Sequence, residues 1–335
     1  MEFQISVEQL KLLLTITKPV WKTAGNILHH EWIYFYNGVM YCSNGYVSVH
    51  RPVGFNHTFA LSAKQADVLI RKSKEEFATI IIEQDYSGLK VGKAAAQFSY
   101  PFSSIEDQLR HFSVPTTDFT PCSHIKKAVD YCIKTVAKEN IQFSNMYLFS
   151  NKMYSTDGYR ITVVNVEGIS TSIPYGMASV LFDEPDTMTV DTDAVHFKVG
   201  EWVISGMLHI GEPDSIVGYV PVDDLDKVIE FPDEAKEIVN KSRKFDNEYK
   251  LKDLYIDVIV KDGNMVFQIN GIKSKYRESI EYESDSTFGF RINPAFLEYG
   301  LSLSNRFKFE PGSQSMIIEN DDMVQYLWVE PLDIG

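Results

Sequence analysis

Residues able to do chemistry are few in this sequence, and their spacing offers little to catalysis. Asp191, Asp193 and His196 lie in the stretch VDTDAVH. Alternate residues of a strand share a face, so this trio could offer ligands to a metal ion. No glycine-rich phosphate loop, HExxH pair or serine-centred elbow accompanies it. The three cysteines, Cys42, Cys122 and Cys132, show no CxxC spacing. An odd number argues against both a disulfide framework and a cysteine zinc site, so buried free thiols in a reducing cytoplasm are expected. His29 and His30 precede a polar-aromatic stretch and read as surface residues. The expectation is a protein that is not an enzyme and holds no metal or cofactor.

The most regular spacing belongs to basic residues. Lys11, Lys18 and Lys22 follow steps of +7 and +4, and so do Lys127, Lys134 and Lys138. Such steps return to one face of a helix. Lys64 with Arg71, and Lys236 with Arg243, also stand seven apart. The stretches 8–22, 62–76 and 122–139, which include Lys72 and Lys126, hold eleven basic and six acidic residues, a net +5. The whole chain carries −14, so the remainder carries −19. A net −14 alone argues against nucleic acid, because phosphate contacts need lysine and arginine. Basic faces on several helices reopen the question, with an ordinary solvated helix face as the plain alternative.

The elements that would carry these residues recur. Residues 40–46 read MYCSNGY and residues 153–159 read MYSTDGY, which places Gly45 and Gly158 113 residues apart. A further 113 reaches Gly271, preceded by Asn270, and three such periods nearly equal the 335 residues present. This favours three similar domains, 1–114, 115–220 and 221–335. Each unit opens with a helix-like stretch (7–22, 122–139, 223–244). Strands joined by Asn-Gly or Asp-Gly turns follow. A second helix-like stretch (62–77, 174–182, 293–304) and further strands complete each unit. Ser62 and Asn293 are placed to cap helices, and Pro294 suits a first helical position. Pro19 should end or kink the first helix, and Pro232 should split the acidic stretch 223–244. The fold class expected is α+β with a repeated unit. With 44% hydrophobic residues there is material for substantial cores, and no run of 18 apolar residues suggests a membrane span.

These residues resemble a known family. TDGYRITVV (156–164) is similar to the strand-turn-strand motif in the middle domain of the bacterial DNA polymerase III beta sliding clamps. INPAFLEYGL (292–301) and VQYLWVEPL (324–332) resemble their last helix and terminal strand. The resemblance implies three repeated sliding-clamp domains per chain and a head-to-tail homodimer of six. Helices line the ring and antiparallel sheets lie outside. Twelve helices about 10 Å apart make a circle of axes about 38 Å across, leaving a hole of about 28 Å, enough for hydrated duplex. The implied function is a processivity factor that encircles double-stranded DNA without reading sequence, is opened by a clamp loader and tethers a DNA polymerase. Lys11, Lys22, Lys64, Arg71, Lys72, Lys126, Lys127, Lys134 and Lys138 would then face DNA.

The resemblance also implies a pocket for short peptide motifs of partners. It maps onto Thr156, Gly158, Tyr159, Arg160 and Ile161, then Pro221 and Val222, then Val329, Pro331 and Leu332. Glu330 stands where the family has an apolar residue and Asp333 where it has a basic one, so the rim is more acidic and selects different motifs. Such divergence suggests a phage or other mobile element. Two further readings stay open: a clamp-fold decoy or monomeric processivity factor that does not encircle DNA, and a β-rich structural protein.

Overall fold

The computed structural model describes all residues except 24–30, 102, 111, 113, 138–142, 209–217, 219, 221–224, 226, 246–253, 271–274 and 335. The chain divides into two compact units. One comprises Met1–Ile133, Ser144–Lys152 and Val166–Pro213; the other comprises Lys134–Phe143, Met153–Asn165 and Asp214–Gly335.

One order of elements runs through the chain three times. A short strand leads into a helix: Glu2–Ser6 into Val7–Lys22, Thr120–Pro121 into Ile125–Cys132, and Val228–Glu230 into Glu234–Phe245. Three antiparallel strands follow, Trp32–Tyr36, Val39–Ser43 and Val47–Pro52 in the first copy, with counterparts beginning at Asn145 and Ile256. A fourth strand then enters a second helical segment: Ala63–Ile70, the 3-10 turn Tyr175–Ser179, and Pro294–Leu303. Three more strands follow in each copy, and the third copy adds the short strand Glu330–Pro331. The hairpin turns keep the register. Asn37-Gly38, Ser150-Asn151 and Asp262-Gly263 all have both residues at positive φ, between 49° and 76°. Such paired left-handed residues twist in the sense of the flanking strands. Gly45 and Gly158 repeat in the same way at φ 86° and 88°. The third expected turn, at Gly271, lies outside the described residues.

Burial explains where helices form. Val7–Lys22 buries Val7, Leu10, Leu13, Leu14, Thr17, Val20 and Trp21, a stripe at helical spacing, and the Ser6 hydroxyl accepts from the Gln9 amide. Pro19 does not end this helix. It stands near the C-terminus, where Thr23 Oγ1 donates to the Pro19 carbonyl at 2.7 Å and the Val20 carbonyl at 3.0 Å. Ile125–Cys132 buries Ile125, Ala128, Val129 and Cys132, and its first amides donate to the Glu184 carboxylate at 2.6 and 3.1 Å. In Pro294–Leu303, Asn293 caps by accepting from Ala295 N at 2.9 Å, and Pro294 takes the first turn.

Three helical expectations need correction. The stretch 62–77 is helical only to Ile70, so Arg71 is its C-cap and Lys72 and Lys74 lie beyond it. Ser62 occupies the N-cap position without a side-chain bond; the Ala63 amide donates to the Glu31 carbonyl instead. The stretch 122–139 stops being α-helical at Cys132, and Lys134 falls in a 3-10 turn, so the +7, +4 lysine series is not one continuous helix face. After Ile70 the charged residues Arg71, Lys72 and Lys74 offer no further apolar stripe to bury, whereas after Cys132 the chain tightens into a 3-10 turn, and Thr135 and Val136 are still buried. The stretch 174–182 forms only a 3-10 turn. Pro232 does split 223–244, into the strand Val228–Glu230 and the helix from Glu234.

Sheet pairing ties the copies together. In the first unit, Val47–Pro52 pairs antiparallel with Trp202–Met207, joining a strand of the first copy to one of the second. In the second unit, Arg160–Asn165 pairs in the same way with Met323–Trp328. The first unit also holds a sheet with Ala94–Ser99 at its edge, and the second holds one with Lys275–Glu281 at its edge. The second unit's core gathers Phe231, Phe267, Phe290, Phe307 and Leu297 between its two helices and its sheets. Gly300 is buried there, and a Cβ would stand 2.4 Å from Ile318 Cδ1 and 3.1 Å from the Phe307 ring. We expect Gly300→Val to cost about 1–3 kcal/mol by overpacking, read as a lower urea midpoint with an unchanged slope.

Candidate docking site

The second unit contains a cavity of about 260 Å³. Tyr159, Tyr255, Phe296 and Trp328 give it aromatic walls, and Ile292 and Val329 add aliphatic surface. Arg291, Asn293 and Glu330 supply its polar groups. Long-range pairing assembles it. Glu330–Pro331 pairs beside Phe288–Ile292, setting Glu330 opposite Arg291, and the helix from Pro294 presents Phe296.

The segment Thr156–Arg160 is locked from within. The Asp157 carboxylate accepts from the Tyr159 and Arg160 amides, both at 3.1 Å, and from Arg160 Nε at 2.8 Å. Thr156 Oγ1 donates to the Arg160 carbonyl at 2.8 Å and accepts from Gly158 N at 3.0 Å. The Trp328 amide donates to the Tyr159 carbonyl at 3.1 Å, fixing two walls together. Arg160 then reaches the Lys134 carbonyl at 2.5 Å and lies over the Phe296 ring, 4.3 Å from its centre. It therefore holds Phe296 in place rather than facing the cavity.

Of the residues assigned to this pocket from the sequence, Tyr159 and Val329 line the cavity. Thr156 and Ile161 are buried in the hairpin beneath it. Gly158 makes the left-handed turn. Pro331 and Leu332 are partly buried and attach to the neighbouring strand, Pro331 opposite Phe290 and the Leu332 amide on the Gly289 carbonyl. Pro221 and Val222 lie outside the described residues. Tyr255, Arg291, Ile292, Asn293, Phe296 and Trp328 were not anticipated, although all but Tyr255 stand in or beside the INPAF and VQYLW strings.

The repeat supplies a comparison within the chain. Asn44 locks its own turn as Asp157 does, accepting from Tyr46 and Val47 amides, and the Met207 amide donates to the Tyr46 carbonyl at 2.9 Å. Yet the space beside Tyr46 and Met207 is only about 10 Å³. There Met177 packs onto Gly206, where an added Cβ would meet its sulfur at 2.3 Å. The same backbone geometry thus yields a usable cavity in one copy and a filled one in the other.

The basic residues are placed as follows. Lys11 Nζ donates to the Ser73 carbonyl at 2.7 Å. Lys126 pairs with Asp130, and Arg71 with Asp67, whose carboxyl that bond holds below the usual range. Lys22, Lys64, Lys72, Lys127 and Lys134 have exposed side chains, and Lys138 lies outside the described residues, as do His29 and His30.

Of the trio suspected of metal binding, Asp191 and His196 belong to a structural network and Asp193 is exposed. His196 is buried, its Nδ1 2.7 Å from Ser205 Oγ. Asp191 lies 3.2 Å from Nε2 but off the line of a hydrogen bond; its carboxylate accepts from Thr116 and Thr117. Among the described residues no cluster of three His, Cys, Asp or Glu is arranged to hold a metal ion. No helix there is long and apolar enough to cross a membrane. Cys42 and Cys132 are buried free thiols, and Cys122 is half-buried, its thiol pushed up to about 12 by burial.

The chain combines a threefold-repeated α+β order with a cavity of about 260 Å³ beside a locked Asp-Gly turn. The chain has the fold of the bacterial DNA polymerase III beta clamps. It superposes on the DNA polymerase III subunit beta from Pseudomonas aeruginosa with TM-score 0.78 at 15% identity, covering 100% of both chains. The sliding clamp from Bartonella birtlesii bound to griselimycin gives 0.80 at 14%, again over 100% of both. The Helicobacter pylori beta clamp bound to a DNA ligase peptide gives 0.77 at 12%, over 99% of this chain and 100% of that one. No protein-family model and no curated protein matches the sequence.

Burial pushes His50 down to about 4, with His196 adding a smaller like-charge effect. The unfolded imidazole titrates near 6.5, so as pH falls the unfolded chain takes this proton first. Stability is therefore held above about pH 6.5 and drains as pH falls toward 4. Between pH 7 and 4.5 a His50→Gln variant should lose about 2–3 kcal/mol less than the parent in urea unfolding.

Proposed function

We propose that the chain is a non-enzymatic DNA sliding clamp, a processivity factor of three clamp domains, 1–114, 115–220 and 221–335, that closes head-to-tail with a second copy around duplex DNA. One observation carries this reading. Twice within the chain, the third strand of one copy's first hairpin series pairs with the last strand of the next copy. The same positions in the remaining copies are Lys275–Glu281 and Ala94–Ser99, and both are sheet edges in a single chain. An unpaired edge is a template for another strand. A second chain applying the same pairing rule would satisfy both edges at two identical interfaces, a closed arrangement. The cavity at Tyr159 and Phe296 is then the docking site for a polymerase or clamp-loader peptide, in keeping with the neighbour bound to a DNA ligase peptide.

Mass measured in solution should correspond to two chains. Ser279→Pro and Gln97→Pro, each removing an edge amide, should yield folded monomers. A stable parent monomer would favour the monomeric or decoy reading.

Contacts with DNA should be to phosphate, independent of sequence and weakened by salt. Lys127→Glu with Lys134→Glu should lower retention on circular DNA roughly tenfold at low salt without changing the dimer mass. Lys90→Glu with Lys198→Glu, on strands, should leave retention unchanged. Equal losses from both pairs would reduce the lysines to a solubilising surface.

A further inference from the structure

The cavity has a composition that apolar docking alone does not require. Its aromatic walls include Tyr159 and Tyr255, which are 59% and 47% exposed. Its polar wall holds one base and one acid, Arg291 and Glu330, and the base is shared with a second carboxylate behind the wall. Arg291 is committed to the buried Asp257 through two hydrogen bonds, at 2.7 and 3.3 Å. That bidentate pair cancels the guanidinium charge. Glu330 touches Arg291 only at 3.4 Å through Oε2, and its side chain is 65% exposed. Its carboxylate is the surplus charge of the site.

An apolar plug would bury Glu330 against hydrocarbon and leave that charge poorly compensated. A cation answers both features, because aromatic faces attract it and the carboxylate bonds to it. Phe296 already carries one cation on its face, the Arg160 guanidinium. We propose that this cavity selects a partner peptide bearing lysine or arginine next to its apolar anchors, with the cation entering between the aromatic walls and pairing with Glu330. The inference rests on the reading of the cavity as a docking site.

Four synthetic pentapeptides would test it, identical in their leucine and phenylalanine anchors and differing at one neighbouring position: lysine, arginine, norleucine or glutamate. Each is titrated calorimetrically into the full chain. The lysine and arginine peptides should bind at least about fivefold tighter than norleucine, with glutamate weakest. Glu330→Gln should cut that advantage below about twofold, by weakening lysine and arginine binding and strengthening norleucine binding. Tyr46→Ala, at the filled counterpart, should change nothing. Norleucine binding as well as lysine to the parent chain, or an advantage that survives Glu330→Gln, overturns this inference and leaves the docking site standing. No binding by any of the four overturns both.

Discussion

Backbone pairing between one structural copy and the next is the constraint from which the remaining features follow. A sheet strand with an unmatched side exposes a row of amides and carbonyls, and leaving them unpaired in a buried setting is costly. Val47–Pro52 and Arg160–Asn165 each find a partner strand in the following copy. Because the pairing is antiparallel and in register, it also decides which loops meet. The turn before each of these strands is brought to the end of the partner strand, where the Tyr46 and Tyr159 carbonyls accept from Met207 and Trp328. The site is thus a by-product of the seam that joins the copies.

What distinguishes the two seams is side-chain volume. Met177 occupies the space over Gly206 in one, while a full helix carrying Phe296 stands beside the other. Arg160 is the link between turn and helix. Its guanidinium bonds to Asp157 and the Lys134 carbonyl and lies on Phe296, so the aromatic wall is held by a charged group that never faces the cavity. Losing that side chain would loosen the wall as well as remove a charge, as happens when an arginine serves by packing.

The sequence disclosed the parts of this design that depend on local chemistry. Gly45 and Gly158 were legible because a left-handed turn selects glycine, and Pro294 after Asn293 because a helix start selects both. The parallel turn at Ser150-Asn151 carries no glycine, so the alignment of Asn37, Ser150 and Asp262 was invisible until the φ angles were known. Helix ends were overextended at Ile70 and Cys132 because lysine spacing continued past both, while the β-branched run Ile133, Thr135 and Val136 disfavours an α-helix and takes a tighter turn. Tyr255, Arg291 and Trp328 come from three separate stretches, and their convergence is a consequence of strand order alone.

The distribution of charge also follows from this architecture. A protein held on DNA by closure does not need tight phosphate contacts, and tight contacts would oppose sliding. Several basic side chains here are spent on their own neighbours: Lys11 on a carbonyl, Lys126 on Asp130, Arg71 on Asp67. These pairs reduce the attraction each helix would offer a phosphate, and on the proposed reading exposed lysines such as Lys22 and Lys64 would contribute a screened, sequence-blind field. On the proposed clamp reading, topological retention reconciles a net charge of −14 with a role on DNA. On that reading, closure through the two edge strands is the physical condition that would let an acidic chain work on an acidic polymer.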